Sequence, residues 1–195
     1  MTYLYKNWAY MGPVIAVYVM IVLLSNASTM DPLVFWIWLQ FPIYLIHEFE
    51  EHAWPGGFKA FVNKEVFKNS DENTPLNDKR IFWINILAVW VAFPICAVLS
   101  QQGEIVFGIL IVYFSLFNAT IHIVTTVLKK KYNPGFFASL FLYFPPGLYT
   151  LWLAEKEGVL DLTMTLMGLL VAFLAHALII ILSLYWNKNA LNSKE

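Results

Sequence analysis

Charge is what this chain has least of. Asp, Glu, Lys and Arg make up 13% of its 195 residues, about half the share usual in soluble domains. So few ionic groups cannot cover a water-facing surface, which argues against a soluble enzyme. Cysteine is nearly absent. Cys96 alone can form neither an internal disulfide nor a Cys-x-x-Cys metal site, and it reads as a core residue. No nucleic-acid-binding signature occurs, so nucleic acid is not an expected partner. Internal repeats and low-complexity segments are missing too. What the chain does have is apolar: 59% hydrophobic and 17% aromatic residues, with a mean hydropathy of +0.63. It reads as an all-α membrane protein, a single transmembrane helical domain over residues 1–195.

Six segments approach the ~20 residues that a helix needs to cross a bilayer. They are 8–25, 33–54, 81–99, 105–128, 136–153 and 162–186. Pro42, Pro94 and Pro145-Pro146 predict kinks within them. The aromatic flank of Tyr3, Tyr5, Trp8 and Tyr10 suits an uncleaved signal anchor at a membrane interface rather than a signal peptide. A six-span bundle puts eleven of the twelve Lys and Arg residues on one side and leaves Lys156 alone on the other. That asymmetry predicts an inner (cytoplasmic) membrane protein with both termini in the cytoplasm. The longest polar connection, 55–80, has a pattern of its own. Phe58, Phe61, Val62, Val66 and Phe67 recur at helical spacing between Lys59, Lys64 and Lys68. This predicts a short amphipathic surface helix between spans 2 and 3, able to cover a site beside it.

The scarce charge gathers at one place, His47-Glu48-Phe49-Glu50-Glu51-His52. Ionisable residues at the end of a membrane helix are costly and usually functional. On a helix His47, Glu50 and Glu51 stand at i, i+3 and i+4 and share a face, with Glu48 and His52 on another. Imidazole and carboxylate on one face suit a divalent metal ion. His122 and His47 each lie roughly 10 Å from the cytoplasmic end of their spans, and His176 about 15 Å from its own. Three spans thus bring a histidine to similar depth. Asn85, roughly 8 Å deep, and Asn118, one turn before His122, are expected to orient ligands rather than bind metal. His52 is a further candidate for that outer role. Span 6 reaches His176 along a stripe of small residues, Thr165, Gly168 and Ala172, which favours close packing.

The pattern His47-x-x-Glu50-Glu51, with Asn118-x-x-x-His122 and the late His176, resembles the HXXEE-domain family of small bacterial membrane proteins. The resemblance implies a metal site and no established activity.

Other metal motifs do not fit. His47 and His52 are five apart, so HExxH is absent. No Glu-x-x-His pair of the di-iron bundle type occurs in the cluster. The expected ligands are therefore His47, His122 and His176 with Glu50 or Glu51, around one divalent ion, zinc above iron or manganese. The second glutamate would be the general base on a metal-bound water. The expected activity is hydrolysis of a lipid or other hydrophobic substrate reached from the bilayer. A dinuclear-iron lipid oxidase or hydroxylase and a metal-ion or proton transporter are the alternatives.

Overall fold

The computed structural model describes residues 1–192. Every regular element among them is helical. Helix α1 covers Thr2–Asn26 and α2 covers Pro32–His52. A short α3 runs Phe58–Phe61 and continues as Val62–Val66. The long helices α4 (Asp78–Gln101), α5 (Ile105–Lys129) and α6 (Phe136–Lys156) follow, and α7 is Leu162–Asn192. The helices α1, α4, α5, α6 and α7 are long and apolar enough to cross a membrane. The chain is a multi-pass membrane protein.

Local chemistry sets the boundaries. Asp31 accepts a hydrogen bond from the Val34 amide at 3.0 Å ahead of Pro32, which caps the start of α2. Asn77 does the same for the Arg80 amide at 3.0 Å at the start of α4, and Asp161 for the Met164 amide at 2.7 Å at the start of α7. Wide π-helical turns interrupt α4 at Ile86–Val91 and α6 at Ser139–Tyr143. Both precede proline. Pro94, Pro145 and Pro146 have no amide hydrogen to return to the preceding turn, so the ladder there loosens.

Helix α2 is central. It falls outside the apolar set because it carries Gln40, His47, Glu48, Glu50 and Glu51, all buried. Its neighbours shield these groups from lipid. Leu33, Ile37 and Leu45 of α2 pack with Ile109 of α5, Phe93 of α4, Tyr143 of α6 and Ala16 of α1 in one core. Helices in lipid gain by close van der Waals approach rather than by leaving water. Accordingly, a Cβ on Gly12 of α1 would stand 2.7 Å from the Leu45 carbonyl oxygen. Helix α7 is peripheral and packs chiefly on α5. Its Gly168 lies beneath the Tyr113 ring of α5, too close for any larger residue. Cys96 is half-buried against the core.

Candidate metal centre

Glu51 lies one helical turn beyond His47 on α2, and α5 brings His122 against both. His122 Nε2 is 3.1 Å from Glu51 Oε1. His47 Nε2 is 3.5 Å from Glu51 Oε2. The two imidazole rings meet edge to face with centroids 4.8 Å apart. One ligand atom from each of the three residues falls within 4.8 Å of the others. His47, Glu51 and His122 are 0%, 4% and 2% exposed, so water does not satisfy them. Both ring nitrogens of His47 and Nδ1 of His122 have no hydrogen-bond partner among the described residues. Buried polar atoms are rarely left so. Two imidazoles and one carboxylate converging in a buried site form a donor set that suits a divalent ion.

The motif's other residues divide the work. Glu50 leaves the cluster. Its Oε1 accepts from the Tyr132 hydroxyl at 2.6 Å and the Phe137 amide at 3.0 Å, and its Oε2 accepts from the Ala138 amide at 2.6 Å. Those amides are the open N-terminal donors of α6, so Glu50 caps a helix other than its own. The expected shared face of His47, Glu50 and Glu51 therefore splits, because the start of α6 competes for Glu50 and wins. Burial and the bond to Glu50 raise the pKa of the Tyr132 phenol and keep it a donor.

Glu48 is fully buried, and its carboxylate accepts from Trp90 Nε1 at 2.6 Å. His52 is not turned away from the cluster. Its Nε2 is 3.3 Å from Glu51 Oε2, because the long Glu51 side chain lies between the two faces. Asn85 Nδ2 lies 3.4 Å from the same imidazole nitrogen and donates to the Ile81 carbonyl at 2.9 Å. The Trp8 and Phe58 rings hold His52 from either side, with centroids at 5.4 and 5.5 Å.

His176 sits one layer away. Its Nδ1 lies 2.8 Å from the Ala172 carbonyl oxygen, and its ring packs on Phe114 and Phe117. A carbonyl only accepts, so Nδ1 carries the proton and Nε2 presents a lone pair. That Nε2 has no partner among the described residues. Glu51, His122, His176, Asn85 and Asn118 line one cavity of about 470 Å³ whose other walls are mainly apolar. The Asn118 side-chain oxygen is also unpartnered. Phe58, Phe61, Val62 and Val66 of α3 line it as well.

Sequence reasoning missed Gly135. It begins α6 at φ +97, and a Cβ there would lie 2.6 Å from His47 Cε1, 2.9 Å from His122 Cε1 and 3.0 Å from Glu51 Cγ. The backbone of the 133–135 turn therefore closes directly over the cluster, where only glycine fits. The Pro134-Gly135 pair was a readable turn signal, but nothing in the sequence placed that turn over the histidines.

A family model described as a protein of unknown function with HXXEE motif matches residues 38–150, more than half of the chain. The match includes His47, Glu50, Glu51, His122 and Gly135 and ends before His176. No curated protein and no solved structure matches the chain.

Proposed function

From the premise that the chain belongs to the family of proteins with the HXXEE motif, we propose that it is a membrane-embedded, metal-dependent hydrolase acting on a lipid or similarly hydrophobic substrate. One observation carries the reading: two imidazoles and a carboxylate converge in a buried cluster, and Glu51 and His122 of that cluster line a mainly apolar cavity. His47, Glu51 and His122 are the ligands. Two histidines, one glutamate and an open fourth position make a donor set that catalytic zinc sites use, so zinc is preferred to iron or manganese. The bound ion would supply an activated water and polarise the scissile carbonyl.

The chain's own residues do the rest. His52 holds the Glu51 carboxylate in place. His176 offers its unprotonated Nε2 to the cavity, where it takes the proton of the attacking water and returns it to the leaving oxygen. Glu50, bonded to three donors, anchors α6 rather than serving as the base. The apolar walls accept an acyl chain and keep bulk water out.

Two alternatives fit the geometry less well. A dinuclear-iron oxidase needs several carboxylates, and here Glu51 alone faces both histidines while Glu48 and Glu50 are bonded elsewhere. A transporter would hold its ion weakly, which metal retention through purification would contradict.

In this reading α2 is a sixth span, kept from lipid by its neighbours. Both termini and α3 lie at the cytoplasmic face of the inner membrane, as the lysine and arginine distribution supports. The test is hydrolysis of acyl esters and amides presented in mixed micelles. Wild-type protein should cleave one class, and Glu51→Gln and His176→Ala should each lose at least about 100-fold in kcat/KM. Equal activity in Glu51→Gln would overturn the reading.

A further inference from the structure

A second depression, of about 750 Å³, runs along the outside of the bundle between α4 and α7. Its walls include Trp83 and Leu87 of α4 and Leu178 and Leu182 of α7, apolar side chains exposed where lipid would be. Its far end is polar, with Lys79 and Arg80 at the start of α4 beside Trp186. The groove shares a wall with the inner cavity. Ile84, Ala88, Phe114 and Ile179 line both it and the cavity at the metal cluster. Because α7 packs chiefly on α5, the seam between α4 and α7 lies against that shared wall.

The charges at the end of the seam are set to receive an anion. Lys79 is exposed and makes no hydrogen bond or ion pair among the described residues. Arg80 donates from Nη1 to the Pro75 carbonyl at 2.5 Å, and its guanidinium lies 4.6 Å from the centre of the Trp186 ring. Held on two sides, the guanidinium still has donors left to bind a phosphate.

We propose that this groove binds an anionic phospholipid, with its phosphate at Lys79 and Arg80 and one acyl chain laid along the seam between α4 and α7. Ile84 lies one helical turn, roughly 5–6 Å, deeper than Arg80. A glycerophospholipid carries its acyl ester a few bonds from the phosphate, so the ester comes level with the junction to the inner cavity. Binding stands on the groove and its charges alone. Only the step from bound lipid to cleaved lipid rests on the metal-dependent reading above.

Native mass spectrometry of the purified protein, offered equal amounts of phosphatidylglycerol and phosphatidylcholine, tests it. One phosphatidylglycerol should be retained at least fivefold over phosphatidylcholine. Lys79→Gln, at an exposed and unpaired position, should erase most of that preference. Ala88→Phe, which fills the junction, should reduce phosphatidylglycerol retention severalfold and leave metal content unchanged. Glu51→Gln should bind the lipid as wild type does, whereas wild-type protein that retains the lipid and cleaves no acyl ester or amide would sink the functional reading and leave the groove. Equal retention of the two lipids, retention of oleate in their place, or unchanged retention in both groove variants would overturn the proposal.

Discussion

Glu50 and Glu51 are chain neighbours with opposite work. Glu51 faces the imidazoles of His47, His52 and His122, while Glu50 binds the first amides of α6 and Tyr132. Glu50→Gln replaces one acceptor oxygen by a donor against those amides. It should destabilise the protein by about 2 kcal/mol, read as a lower Tm in detergent, with the metal still bound. Gly135→Ala acts in the other direction. The added methyl overlaps His47 and His122 in a backbone conformation alanine rarely adopts, so metal affinity should drop at least about tenfold in a competition titration. At this scale the sequence was informative about residue types and less so about partners. The cluster of His47, Glu51 and His122 could be read because helical spacing and depth are properties of the chain. The diversion of Glu50 could not, because it depends on where the start of α6 docks, a tertiary outcome. The tie between Glu48 and Trp90 was hidden for the same reason.

Among the elements, α3 forms part of the cavity wall. Its buried Asn63 donates to the carbonyls of Glu72 and Leu76, each at 2.8 Å, and accepts from the Leu76 amide at 3.0 Å. One side chain thus ties α3 to the loop that leads into α4. Asn63→Ala leaves those backbone groups unpaired, and hydrogen exchange across 58–77 should speed up while α5 stays protected. A second tie is exposed. Lys131 donates to Glu65 at 2.6 Å and, with its charge, holds the Glu65 carboxyl below the usual range. Because the folded pKa is depressed, this contribution is present above the ordinary glutamate pKa and lost as pH falls through the folded value. Acidification below pH about 4 should therefore loosen α3 before the bundle melts, seen as faster proteolysis near Lys64 and Lys68. Residues 58–66 are helical where the aromatic spacing predicts it, and α4 and α6 are interrupted just ahead of Pro94 and Pro145-Pro146. The π-helical form of these interruptions was not legible, because the sequence marks a missing amide without saying how the ladder reroutes around it.

At the scale of the molecule, α2 explains why composition alone understates the bundle. A helix ringed by α1, α4, α5 and α6 can carry polar side chains that a lipid-facing helix cannot, so its hydropathy is low where its burial is high. The all-helical, multi-pass architecture followed from hydropathy directly. The six-span topology predicts that single cysteines placed at positions 70 and 132, in a Cys96→Ala background, are labelled only from the cytoplasmic side, and one at position 157 only from the other. Labelling of all three from one side would contradict it. Everything proposed for the cluster depends on a bound metal, which elemental mass spectrometry of the purified protein detects. The account predicts about one equivalent of zinc in wild type and Glu50→Gln, with loss of it in Glu51→Gln and His122→Ala. Absence of metal after reconstitution, or equal metal in Glu51→Gln, would contradict it.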